Sequence, residues 1–290
     1  MPADIDGSEA AEPDPPPGRR RLPGGGSGLV SRLAVAIPGI AVAIGAIALG
    51  GVAFTACVVV VAAFALYEFY ALTAAARPLR WAGYLSALLA IGLAWGLQPA
   101  ERGVLIGLSA ALGLVAVAGL ILSRRDDVTQ RISTTSFGVL YVGLPLALLV
   151  ATRELPDGAG AVVNVLVGTW VFDTAAYAGG RLWGRRPIAP LTSPNKTLEG
   201  TLVGLVVGTF AVWVAGLYMD WITGVESLLL GVVICIAAFL GDLFESLLKR
   251  HVGTKDSGRI LLGHGGVLDR FDALLFTVPA AYFVTVLLVY

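Results

Sequence analysis

Charge is what this chain is short of. Only 14 % of its 290 residues are Asp, Glu, Lys or Arg, too few to clothe a water-soluble globule. With 57 % hydrophobic residues and a mean hydropathy of +0.82, a membrane is the solvent it suits. Net charge is absent too, at zero, so bulk electrostatics names no partner and no nucleic-acid partner is expected; information lies in where the charges sit. Cysteine is nearly missing. Cys57 and Cys235 fall inside apolar runs, which supports neither a disulfide framework nor a cysteine metal site and leaves two small core residues. No pair of Gly/Pro-broken apolar segments recurs in two matching halves, which speaks against a cation or phosphate transporter, although carboxylates inside a bundle would suit one.

What is abundant is glycine, 37 residues, in long apolar runs; small residues let membrane helices approach closely, so an all-α polytopic bundle is expected. Residues 1–28, rich in Pro, Gly and acidic side chains before Arg19–Arg20–Arg21, read as a disordered cytosolic tail. The apolar stretch from Leu33 runs on far beyond the core of a cleaved signal, which points to a retained anchor. At ~20 residues per crossing, spans are expected at 33–50, 52–72, 82–97, 103–122, 134–151, 161–180, 198–218, 227–248 and 268–290, the third being short. With the N-terminus inside, eighteen of the twenty Lys and Arg fall on the cytoplasmic side, and only Arg102 and Arg153 stand opposite. Nine spans, N-terminus in, is the resulting topology.

Carboxylates in or beside spans are the costly feature, since an Asp near mid-bilayer costs about 2.5–3.5 kcal/mol even on the lenient insertion scale. Glu68 stands alone and reads as a helix-end residue near the headgroups. The others cluster. Asp242, Glu245, Ser246 and Lys249 follow i, i+3, i+4, i+7 on the eighth span and share one stripe, and Asp269 and Asp272 are i, i+3 at the start of the ninth. Such carboxylates suit a hard cation such as Mg²⁺, or equally a salt-bridge network with Lys249, Arg250 and Lys255. The loop between them is cationic and glycine-containing; it either presents charges and backbone N–H groups to an anion or is an ordinary cytoplasmic loop. His264–Gly265–Gly266 precedes the last helix, where paired glycines would let backbone approach a phosphate. The sixth span adds Asp173, Tyr177 and Arg181 at i, i+4, i+8. Ser193, Lys196 and Thr197 follow before the seventh, with Ser193 or Thr197 available to cap it.

Residues 246–272, SLLKRHVGTKDSGRILLGHGGVLDRFD, resemble the C-terminal motif of the CDP-diacylglycerol synthases, also called phosphatidate cytidylyltransferases. The stretches DTAAYAGGRLWGRR from Asp173 and SPNKTLEG from Ser193 resemble the same family, so the similarity covers roughly the C-terminal 120 residues. The chain departs from the pattern at Leu262, where members usually carry Pro, and at Asn195, where they usually carry Lys. The resemblance implies that CTP and phosphatidic acid give CDP-diacylglycerol and pyrophosphate with Mg²⁺, with room for a second cation, at the cytoplasmic face of the cell (inner) membrane. It further implies metal ligation by Asp242 and Asp269, with Asp173 or Asp272 in support. The triphosphate and lipid phosphate would be clamped by Lys249, Arg250, Lys255 and Arg270, and His264 would either donate to a phosphate or structure its loop. Asp173, Tyr177, Arg181, Ser193, Lys196, Thr197, Ser246, Gly265 and Gly266 would bind substrate. The chain then divides into the tail, N-terminal transmembrane helices (29–155) and a C-terminal transmembrane catalytic region (156–290), with the bilayer as partner and a homodimer left open. A CTP-dependent polyprenol kinase, attacking the γ-phosphorus, is the alternative enzyme. A CDP-alcohol phosphotransferase is disfavoured, because its run of aspartates spaced by four is missing.

Overall fold

Inside a bilayer each backbone N–H and C=O must find its partner within the protein, and an apolar run does so by coiling into a helix. The computed structural model describes residues 29–124, 126–254, 256–258 and 265–289, with side chains described from residue 38. The tail, Lys255 and His264 therefore lie outside the described residues. In chain order the helices are α1 (Leu29–Leu49), α2 (Gly51–Leu72), α3 (Arg80–Gly96), α4 (Ala100–Leu122), α5 (Val128–Gly138), α6 (Leu144–Arg153), α7 (Gly158–Trp183), α8 (Leu198–Gly216), α9 (Gly224–His251), α10 (Leu268–Phe271) and α11 (Leu274–Leu288). A π turn over Val139–Gly143 joins α5 to α6. Pro145 explains it: the ring carries no N–H and crowds the carbonyl four residues back, and widening one turn relieves both.

Among the described residues, seven helical runs are long and apolar enough to cross a membrane: α2, α4, Val128–Arg153, α7, α8, α9 and Leu268–Leu288. The polytopic all-α bundle is thus as expected. Helix α3 has 17 residues, about 26 Å at 1.5 Å per residue, at the lower limit for a bilayer core. Two features were not expected. A two-stranded antiparallel hairpin, β1 (Pro187–Ala189) and β2 (Ser193–Thr197), interrupts the all-helical chain before α8, and the last span breaks at Asp272–Ala273. At the break, Asp272 Oδ1 accepts the Ala273 N–H at 2.7 Å, a local bond that competes with continuing the helix.

Helices in lipid gain little from hiding apolar surface from one another, so close van der Waals fit holds the bundle. Helices α7 and α8 meet at Gly200, where a Cβ would stand 2.6 Å from the Ala176 carbonyl oxygen. Helix α9 meets the α10–α11 break at Gly241, where a Cβ would stand 2.8 Å from the Asp272 carbonyl oxygen. On the other side of the molecule Tyr70 of α2 is wedged against Gly83 and Gly138 and donates its hydroxyl to the Thr135 carbonyl at 3.1 Å. Phe69, Phe137, Tyr141, Phe244 and Phe276 form a contiguous ring cluster joining α2, α5, the π turn, α9 and α11.

Connections gather at the two ends of the bundle. At one end Arg131 donates to the Arg77 carbonyl and the Leu79 N–H donates to Thr135, while at the other Arg153 donates to the Ile47 carbonyl at 2.8 Å. Glu199 ties down the hairpin, accepting the N–H groups of Arg185 and Arg186 at 2.9 and 3.1 Å.

Candidate active site

Helix α7 carries Asp173, Tyr177 and Arg181 on one stripe, and the Gly200 contact brings the start of α8 against it. Thr197 settles the capping question: its hydroxyl accepts the Gly200 N–H at 3.2 Å as the α8 N-cap, while Ser193 lies in β2 paired with Ala189. The hairpin thus delivers Asn195 and Lys196 to the mouth of a cavity of about 580 Å³. Helix α9 contributes Phe239 and Asp242, and α10 with the break contributes Asp269 and Asp272. Four aspartates from three parts of the chain face one space, together with Tyr177, Arg181, Lys196 and Thr197. Asp173 opens onto that space with much of its surface accessible, which is how a carboxylate deep in an apolar run escapes full desolvation.

Cations already hold two of the four carboxylates. Lys196 forms an ion pair with Asp242 and lies over the Phe239 ring, 5.6 Å from its centre. Lys249 bridges Glu245 at 2.7 Å and Asp269 at 2.8 Å. Asp269 Oδ2 also accepts the Gly266 N–H at 2.8 Å and the Ser257 N–H at 3.1 Å. The paired glycines therefore serve a carboxylate in this structure: the Gly266 N–H is committed to Asp269, and Gly265, at φ 79°, supplies the left-handed turn that permits it. Glu245 is buried, and its Oε1 has no partner among the described residues.

Other expected site residues stand apart from the cavity. Arg250 reaches the hairpin, donating to the Thr192 carbonyl at 3.3 Å, and Ser193, Ser246, Gly265, Gly266 and Arg270 are not among its lining. Glu68 needs a correction. It is no headgroup-facing helix end but is 1 % exposed, accepting the Leu268 N–H at 2.7 Å and the Ser257 hydroxyl at 3.2 Å. Nothing in the α2 sequence announces these partners, which lie some two hundred residues away. Phe172, Phe239 and Thr201 also line the cavity without having stood out, because apolar and hydroxyl side chains in a span carry no signal of their own.

Among the described residues no three Asp, Glu, His or Cys side chains converge closely enough to hold an ion by themselves. Hard carboxylate oxygens beside Lys196 and Arg181 would suit a Mg²⁺ shared with phosphates, an ion that takes one or two carboxylates and fills its octahedron from substrate and water.

Residues 30–288 match the Cytidylyltransferase family. The chain belongs to that family. Curated relatives named phosphatidate cytidylyltransferase come from Staphylococcus haemolyticus, 38 % identical over 170 residues, 58 % of this chain and 65 % of that protein, and from Staphylococcus epidermidis, 37 % over 204 residues, 68 % and 76 %. One from Staphylococcus aureus is 36 % identical over 197 residues, 66 % and 75 %. The cytidylyltransferase chain thus spans about two thirds of the length of the first and about three quarters of the others.

Proposed function

We propose that this cytidylyltransferase is a phosphatidate cytidylyltransferase: an integral membrane enzyme that moves the cytidylyl group of CTP onto phosphatidic acid, giving CDP-diacylglycerol and pyrophosphate for phospholipid synthesis. The observation that carries the reading is the cavity in which carboxylates of α7, α9 and α10 meet Lys196 and Arg181 at one end of a membrane bundle. The bundle end that holds it also carries most of the described Lys and Arg, which supports a cytoplasmic orientation in the cell (inner) membrane.

The transfer forms a bond between a lipid phosphate oxygen and the α-phosphorus of CTP, and breaks the bond from that phosphorus to the oxygen bridging to the β-phosphorus. With a second pKa near ~6 the lipid phosphate is largely dianionic at neutral pH, so charge neutralisation and in-line positioning matter more than a strong base. Tyr177 is 69 % exposed, on the flank of α7 where a lipid in the surrounding leaflet would meet the cavity, and Arg181, bonded to its hydroxyl at 3.4 Å, would take the lipid phosphate. Lys196 arrives on the hairpin from the aqueous side and can exchange Asp242 for a triphosphate oxygen. Lys249 keeps Asp269 oriented at the cavity floor. Asp242, Asp269 and Asp272 would hold Mg²⁺, with Asp173 opposite and room for a second cation; when bound, the ion neutralises charge developing on the phosphates.

The test is direct. Protein purified in detergent, given labelled CTP, phosphatidic acid and Mg²⁺, is expected to move label into the lipid phase, and chelation to stop it. Asp242→Asn is expected to insert and fold normally yet lose about 100-fold or more of the turnover. Near-normal turnover in that variant removes Asp242 from the site, and label appearing only at a lipid alcohol, from the γ-phosphate, would make the protein a kinase.

A further inference from the structure

A carboxylate sealed from solvent is costly unless its oxygens find donors, so the 1 % exposure of Glu68 calls for a reason. Its Oε2 accepts from Leu268 N–H and the Ser257 hydroxyl. Space is made for it: a Cβ on Gly258 would collide with Oε1, and a Cβ on Gly266 with Oε2. The described ends of the α9–α10 connection are thus built around a side chain of α2. Those same ends also face Asp269. Ser257 gives its hydroxyl to Glu68 and its N–H to Asp269, and Gly266, packed on Glu68, gives its N–H to Asp269 at 2.8 Å. Helix α2 is a firm base for this, because the next two residues, Phe69 and Tyr70, are locked in the ring cluster and against Gly83 and Gly138.

We infer that Glu68 is a positioning residue for the transfer proposed above: it holds Ser257, Gly266 and Leu268 so that the Asp269 carboxylate meets the substrates in one orientation. It does not itself line the cavity. The inference rests on that functional reading, and its mechanism is acceptor geometry. Gln at this position keeps an oxygen at the same reach, Asp falls one methylene short, and Ala offers none.

In the full-length protein, Glu68→Ala and Glu68→Asp are expected to lower kcat about 100-fold, the scale of an ångström-sized misplacement near the chemistry, while Glu68→Gln stays within about tenfold of wild type. A side chain that merely filled the core would lower the melting temperature and leave kcat per folded molecule intact. Hydrogen exchange supplies a readout independent of turnover. The amides of Ser257, Gly266 and Leu268 should exchange faster in Glu68→Ala than in wild type, with those of α3 and α4 unchanged. If wild-type protein labels no lipid, the functional reading fails and the catalytic part of this inference falls with it, whereas the exchange data still report the anchor. If wild type is active and Glu68→Ala keeps its kcat, or exchange at those three amides does not change, the positioning role is overturned.

Discussion

Lys249 has two carboxylates to answer for. It is 15 % exposed and bonds Glu245 and Asp269 within 2.8 Å. Removing its ammonium would leave Glu245, 1 % exposed, without its ion-pair partner, a loss on the scale of a broken buried pair, about 3–5 kcal/mol, whereas removing both charges at similar shape is close to neutral. Lys249→Met is therefore expected to lower the melting temperature in detergent, and Lys249→Met combined with Glu245→Gln to recover part of it, since Asp269 still lacks its cation. Turnover should stay lost in both, because Asp269 has lost its cation. The stripe Asp242, Glu245, Lys249 was legible from the i, i+3, i+7 spacing, and so was the grouping of aspartates. How the stripe divides its duties was not: Asp242 turns to Lys196 from the hairpin, while Glu245 turns inward to Lys249. Spacing along one helix says which residues share a face, and the face's partners come from other elements.

At the scale of elements, α9 and the broken start of the last span matter most, since their contact sets Asp242 beside Asp272. Gly241 makes that contact, with the Asp272 carbonyl oxygen and the Ala273 Cα at 2.8 and 3.0 Å from any added Cβ. Both are backbone atoms and cannot swing aside. Gly241→Ala is expected to cost about 1–3 kcal/mol and to depress turnover beyond that, by forcing the two helices apart. Gly113, with nothing within 4 Å of an added Cβ, is the control: Gly113→Ala should leave melting temperature and turnover unchanged. Helix existence was readable everywhere, since an apolar run in a bilayer has few alternatives. The hairpin and the break at Asp272–Ala273 were not. Each is short, polar and local, and β2 pairs with β1 across a turn whose sequence, Pro-Leu-Thr, carries no strong hairpin signal.

At the scale of the molecule, the placement of the site at one end invites a test of sidedness. In protein with Cys57 and Cys235 replaced by Ala, Leu191→Cys, at a position 95 % exposed in the hairpin, should react with a membrane-impermeant thiol reagent only from the cytoplasmic side. Tyr218→Cys, 87 % exposed at the other end of α8, should react only from outside. Reaction of both from one side would mean that α8 does not cross, and the reverse pattern would invert the whole bundle.

Length, hydropathy and the distribution of Lys and Arg were enough to determine that this protein is a helical membrane bundle with its polar chemistry toward one end, because the bilayer imposes those limits segment by segment. The family motifs placed that chemistry in the C-terminal helices. Only the tertiary structure decided which groups meet: Glu68 of α2 reaching the Leu268 N–H, Lys196 reaching Asp242, Arg250 spent on the hairpin. Those pairings depend on how helices distant in the chain pack through glycines and aromatic rings, and close packing of that kind is written in no single segment.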